Sequence, residues 1–229
     1  MFRVERLSLI ERYAEWLATA GVERGLIGPR EAPRLWERHL LNCGLLERAL
    51  PVGATVADVG SGAGLPGLVV AIARPDLRVT LIEPLLRRTT FLTEVVEDLG
   101  LANVTVVRGR ADALHGEERF DVVTSRAVAA LSRLLEWSMP LVGPGGELVA
   151  MKGSSAEDEI EGARVALRKL GCAEPAVELV GGELGIEPTT LVRVAWADPS
   201  RVSWPLVPEA GRGGSAKSRS KSARRGRRG

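Results

Sequence analysis

Ten consecutive residues, Asp58-Val59-Gly60-Ser61-Gly62-Ala63-Gly64-Leu65-Pro66-Gly67, restrict the fold of this chain more than any other stretch. A short apolar strand-like run, residues 56–59, leads into them, and an apolar helical run, residues 67–73, leads out. The three alternate glycines allow a sharp turn and a close approach of backbone to ligand, since a Cβ would obstruct one or the other. The helix that follows directs its free N–H groups towards the same place. Nineteen residues after Gly64, Glu83 ends the next apolar run, residues 79–82. A carboxylate there can accept both hydroxyls of a ribose.

Strand and helix patterns continue to alternate beyond this turn. Residues 87–99 read as a helix stopped by Gly100, 104–107 and 120–124 as strands, and 128–139 as a helix. A strand at 147–151 and a helix at 156–170, closed by Gly171, complete the series. Such alternation predicts a parallel sheet with helices on both faces. Residues 177–180 and 191–196 then form two strands with no helix between them, most simply an antiparallel hairpin. Before the turn, Leu7, Ile10, Tyr13, Ala14 and Leu17 recur at helical spacing within residues 2–20. A second helix is expected over 31–50, with Pro33 in its first turn and Pro51-Val52-Gly53 as its stop. The expected architecture is therefore a Rossmann-like α/β domain over residues 52–198. Its sheet is seven-stranded and mostly parallel, with a terminal antiparallel hairpin. A helical extension over 1–51 precedes it and a segment over 199–229 follows.

The charge is unevenly placed. Eight basic residues and no acids lie between Arg212 and Arg228, so the remainder carries 23 basic against 29 acidic residues, a formal −6. This Gly/Ser/Arg/Lys-rich end is expected to be disordered, either as a solubilising tail or as an electrostatic contact to RNA. Cys43 and Cys172 match no zinc or redox spacing, and with His39 and His115 as the only histidines no metal site is expected. Residues 1–21 alternate charged and apolar side chains, unlike a signal peptide, and the longest apolar run is Leu68 to Ala73. No membrane association is expected, and a cytoplasmic location follows.

Gly62, Gly64 and Gly67 also satisfy the dinucleotide fingerprint, so a nicotinamide-dependent dehydrogenase is a rival reading. Three features count against it: Gly60 opens the loop early, Pro66 removes an N–H that a pyrophosphate would use, and a terminal hairpin is an awkward end for a dinucleotide sheet. Methyl transfer from S-adenosylmethionine fits better. Ligands of open α/β sheets lie beyond the carboxyl ends of the strands. There the third strand is followed by Arg108-Gly109-Arg110-Ala111-Asp112, the fourth ends in Thr124-Ser125-Arg126-Ala127, and the fifth in Lys152-Gly153. Asp112 is placed to accept from an adenine amine. The fourth strand's end lacks the Asn/Asp-Pro-Pro-aromatic run of exocyclic amine methylation, and neither cysteine is close in sequence for a covalent pyrimidine adduct. The nucleophile is then expected to carry a free lone pair already, as guanine N7 does, and needs placement more than a base. A small-molecule methyltransferase and a catalytically silent RNA-binding module stay open at this point.

The run Asp58 to Gly67 with Arg74-Pro75, Glu83, Arg87-Arg88, Phe91-Leu92, Ser125-Arg126-Ala127 and Lys152-Gly153 resembles the glucose-inhibited division protein B family of small-subunit ribosomal RNA methyltransferases. The likeness extends from about Tyr13 to Trp196 and is nearest to actinobacterial members. It implies methylation of guanine N7 in the decoding-region loop of 16S ribosomal RNA, free or within the 30S subunit, by a protein expected to be monomeric. The family's cofactor contacts carry over to Gly60, Leu65, Ala111, Asp112 and Arg126, and the wider class adds Gly62, Gly64 and Glu83. Arg126, with Arg38, His39 and Lys152 as further candidates, is expected to face the RNA. One departure stands out: where the family commonly reads Arg-His-x-x-Asp-Ser, this chain has Arg38-His39-Leu40-Leu41-Asn42-Cys43 and loses an acid. His39 suits either a hydrogen-bonded core position or the edge of a substrate pocket.

Overall fold

The computed structural model describes residues 2–126 and 128–202. Seven strands form one sheet: β1 (Thr55–Val59), β2 (Arg78–Glu83), β3 (Val104–Arg108), β4 (Phe120–Arg126), β5 (Val142–Lys152), β6 (Ala176–Val180) and β7 (Thr189–Ala195). Their order is β3-β2-β1-β4-β5-β7-β6. Strands β1 to β5 pair in parallel, while β7 runs antiparallel to both β5 and β6. The expected hairpin is present, with its second strand inserted beside β5 and its first left at the edge.

Alternation along the strands divides the core in two. On one face Val56, Val79, Leu81 and Val122 meet helices α3 (Gly67–Ala73) and α4 (Leu86–Asp98). The amino-terminal helix α1 (Leu7–Trp16) belongs to the same cluster through Ile10, Tyr13 and Ala14, as do Leu40, Leu45 and Leu46. On the other face Ala57, Val59, Val123 and Leu148 meet α5 (Leu131–Ser138) and α6 (Ala156–Leu170). Arg74 fastens the extension to the sheet: it donates to the carbonyls of Glu47, Leu50 and Pro51 at 3.2–3.3 Å and pairs with Asp76.

Several boundaries differ from the sequence expectation. The helix expected over 31–50 is broken into a 3-10 turn at Ala32–Arg34, a π turn at Trp36–Leu41, one α turn, α2 (Asn42–Gly44), and a 3-10 turn at Leu45–Ala49. The widened turn carries Arg38 and His39, and such turns are frequent at functional sites. The helix expected from residue 128 begins at Leu131, because Val128 to Ala130 remain part of the loop above the sheet. Strand β5 begins five residues early, at Val142, through a register shift opposite Phe120 and Val122. Gly146 makes that bulge possible: a Cβ there would stand 2.5 Å from the carbonyl oxygen of Asp121. Trp196 falls just outside β7, in an isolated bridge to Cys172. The basic tail expected to be disordered lies outside the described residues. No helix among the described residues is long and apolar enough to cross a membrane.

Candidate functional site

The carboxyl ends of β1, β2, β3 and β4 face three adjoining hollows. The glycine turn, Glu83, Arg88, Arg126 and His39 line a cavity of about 650 Å³. Gly60, Pro84, Leu85 and Val128 are shared with a more apolar slot of about 370 Å³ that contains Ile82, Ala111, Asp112 and Trp137. On the other side, Glu31, His39, Arg126 and Val128 are shared with a trough of about 1100 Å³. That trough also contains Arg38, Asn42, Lys152 and Thr189.

Hydrogen bonds hold the floor of the cavity. Buried Glu83 accepts from the backbone N–H of Gly62 at 3.1 Å and of Leu85 at 3.0 Å, and pairs with Arg88 at 3.3 Å. Asp58, fully buried in β1, accepts from the Gly67 N–H at 2.9 Å through Oδ2. Its Oδ1 has no hydrogen-bond partner, and burial pushes its carboxyl up to about 7. From the extension, Tyr13 donates its hydroxyl to the Ala63 carbonyl at 2.8 Å, tying α1 to the glycine turn. Gly60 has φ +74°, and a Cβ there would stand 2.8 Å from Val128 Cγ2. A backbone without side chains, a buried carboxylate and an apolar slot suit a nucleoside with a short charged chain, and the residues present fit S-adenosylmethionine.

The structure also disposes of the dinucleotide rival. Pro66 has no N–H, that of Gly67 is taken by Asp58, and that of Leu68 by the Gly64 carbonyl at 2.8 Å. The first turn of α3 therefore offers no free cluster of donors to a pyrophosphate.

The sequence candidates are brought together, with different engagements. Arg126 donates to the Cys43 sulfur at 2.9 Å and contacts His39 Nδ1. His39 is thus at the pocket's edge and in a polar network at once, and its pKa is lowered by burial and then by the Arg126 charge. Arg38 is half exposed and pairs with Glu31 at 3.2 Å. Lys152 is almost wholly buried, pairs with Glu159 at 2.7 Å and donates to the Ala129 carbonyl at 2.8 Å, so it holds the loop after β4 in place. The hydroxyls of Thr124 and Ser125 are engaged inside the sheet, with the carbonyls of Val149 and Val59 at 2.8 Å. Among the described residues of that strand end, only Arg126 lines the hollows.

Cys43 is 83 residues from Arg126 in the chain, yet touches it. It is nevertheless no nucleophile for a pyrimidine: burial pushes the thiol up to about 11, leaving it protonated at neutral pH. Two further residues, Glu31 and Tyr13 through its hydroxyl, also belong to the site. Glu31 lies seven and eight residues before Arg38 and His39, a same-face spacing on the helix expected over 31–50. Among the described residues no group of three or more His, Cys, Asp or Glu side chains is placed to hold a metal ion.

A seven-stranded sheet in this order, with one antiparallel strand, a glycine turn after β1 and a buried acid ending β2, defines a Rossmann-like S-adenosylmethionine-dependent methyltransferase. Among solved structures, a SAM-dependent methyltransferase from Aquifex aeolicus superposes with a TM-score of 0.51 at 20% identity, covering 73% of this chain and 98% of that one. The family described as GidB, rRNA small subunit methyltransferase G, matches residues 6–184. The chain is 65% identical over 214 residues to ribosomal RNA small subunit methyltransferase G of a Nocardioides species, covering 93% of this chain and 86% of the relative. It is 58% identical over 191 residues to the protein of the same name from Streptomyces avermitilis, covering 83% and 80%. The chain belongs to the rRNA small subunit methyltransferase G family.

Proposed function

We propose that this protein methylates N7 of a guanine in the decoding-region loop of 16S ribosomal RNA, in the cytoplasm and as a monomer. One observation carries the substrate side of this reading: the cavity over the glycine turn opens through His39 and Arg126 into a trough large enough for an extruded base. Bound S-adenosylmethionine supplies a methyl group activated by its sulfonium. Glu83, on the cavity, would accept from the ribose hydroxyls, and Asp112, beside Ala111 in the apolar slot, would take the adenine amine. Gly60, Gly62 and Leu65, which line the cavity, would let the chain pass close to the cofactor, and Arg126 would meet its anionic group. Gly64, expected as a cofactor contact, instead makes room for Leu68 and Tyr13. Guanine N7 holds no proton, so no residue has to remove one, and catalysis rests on alignment and exclusion of water. The small-molecule alternative is disfavoured by the open trough and by the family to which the chain belongs.

The test uses 30S subunits from cells lacking the endogenous activity and radiolabelled S-adenosylmethionine. Label in 16S RNA recovered as 7-methylguanosine is the expected result. No label, with cofactor binding intact, rejects the substrate. We extend the reading to the residues from Arg212 to Arg228, which lie outside the described ones, as a contact to RNA phosphates. A chain ending at Gly211 is then expected to bind the RNA about tenfold more weakly at low salt, with a shallower salt dependence. Equal affinity and equal slope would remove the tail from the mechanism.

A further inference from the structure

A carboxylate on the wall of an RNA-binding trough repels phosphate unless it meets hydrogen-bond donors. Among the described residues three acids line the trough: Glu31, Glu159 and Glu187. Glu159 is engaged by Lys152 and by the Leu131 N–H at 2.9 Å, and Glu187 is exposed. Glu31 is the one that also lines the cofactor cavity, so it alone borders both the methyl donor and its acceptor.

Its protein partners leave it capacity. Arg38 Nη1 stands 3.2 and 3.3 Å from its two oxygens. His39 Nε2 stands 3.2 Å from Oε2 but off the hydrogen-bond direction, and makes no bond to any other group. The far ring nitrogen, Nδ1, meets the Arg126 guanidinium, which can only donate. A neutral ring then keeps its lone pair on Nδ1, towards Arg126, and its proton on Nε2. Glu31, His39 and Arg126 all line both hollows, so this linked set sits where cavity and trough meet.

We propose that Glu31 is the guanine-reading residue: its two oxygens accept from N1–H and the N2 amine of the base whose N7 is methylated. The inference rests on the methyltransferase reading above. Guanine presents two adjacent donors on its Watson–Crick edge, which match two carboxylate oxygens. Adenine presents a lone pair at N1 and is repelled there. The contact also strengthens during the reaction. As the bond from N7 to the methyl carbon forms and the sulfur–carbon bond breaks, sulfur becomes a neutral thioether and the guanine ring becomes cationic, with no proton lost. The ring's N–H groups become stronger donors as the charge develops, so the carboxylate stabilises the transition state more than the ground state.

The experiment compares guanosine with inosine, which keeps N7 and N1–H and lacks the N2 amine, at the methylated position of 16S RNA reconstituted into 30S subunits. Single-turnover kcat/KM is measured for wild type, Glu31→Ala and Glu31→Gln. Wild type is expected to methylate inosine about tenfold more slowly, the effect of a charged acceptor losing its donor. In Glu31→Ala that ratio is expected to fall to about two or less, with the Gln variant in between. A ratio that stays at the wild-type value in both variants overturns the proposal, even if both are slow on both substrates. That pattern would mean Glu31 acts only through His39 and Arg126. No ratio in the wild type overturns it too. Failure of wild type to label guanosine subunits at all is a distinct result, and it overturns the underlying substrate reading along with this one.

Discussion

Glu83→Ala is expected to weaken S-adenosylmethionine binding by about 100-fold or more, since each of two hydrogen bonds to a charged acceptor is worth roughly 1.5–3 kcal/mol. Calorimetric titration with the cofactor measures this directly. The free protein should suffer as well. Glu83 is almost completely buried and accepts from the N–H groups of Gly62 and Leu85, so alanine leaves two enclosed donors and Arg88 without their acceptor. A stability loss of about 2 kcal/mol follows from orphaning them. Glu83→Gln keeps one acceptor oxygen and the side-chain volume but sets its NH2 group against one of the two N–H donors, so it is expected to recover part of the stability and little of the affinity. Wild-type affinity in the alanine variant would show that the ribose is held elsewhere.

Asp58→Asn is expected to change how stability depends on pH, with the largest contrast near neutrality. Burial raises the Asp58 carboxyl from an ordinary 3.8 to about 7. Between those values the unfolded chain has lost this proton while the native protein keeps it, so the native state binds more protons. Stability from this group is therefore greatest at low pH, falls as pH rises through the window, and levels off above about 7. At about 1.4 kcal/mol per pH unit, the contribution changes by roughly 4 kcal/mol over the window. Asparagine does not titrate and keeps an acceptor for the Gly67 N–H. The stability of the variant relative to wild type should then climb from about pH 4 to pH 7 and stay level beyond. Groups that titrate in both proteins, His39 among them, cancel in that difference. Denaturant unfolding at four pH values between 4.5 and 8.5 measures it, and parallel curves would mean that Asp58 is ionised in the native protein.

Much of this molecule could be read from local pattern. The glycine turn, the acid ending β2, the alternation that makes a parallel sheet and the antiparallel end all follow from short-range rules: period two against period 3.6, glycine where backbone must pass closely, and chain connectivity. Those rules act within about twenty residues, and so do the motifs that carry the family likeness. Boundaries were less legible where packing overrode propensity. The π turn at Trp36–Leu41 and the bulge admitted by Gly146 serve neighbours far along the chain, and no local signal announces either.

Contacts between distant segments decided the rest. Residues 31–43 come from the extension and Arg126 from the fourth strand, yet they form one wall, because the extension shares its apolar core with α3 and α4. Lys152 and the hydroxyls of Thr124 and Ser125, all plausible ligand contacts as sequence, are engaged internally, while Cys43 moves from irrelevance to direct contact with Arg126. Residue type and order are enough to establish which chemistry a chain of this kind can hold. Which polar groups remain free to perform it depends on the partners that folding supplies, since a buried donor or acceptor is satisfied by whatever group the tertiary packing sets against it.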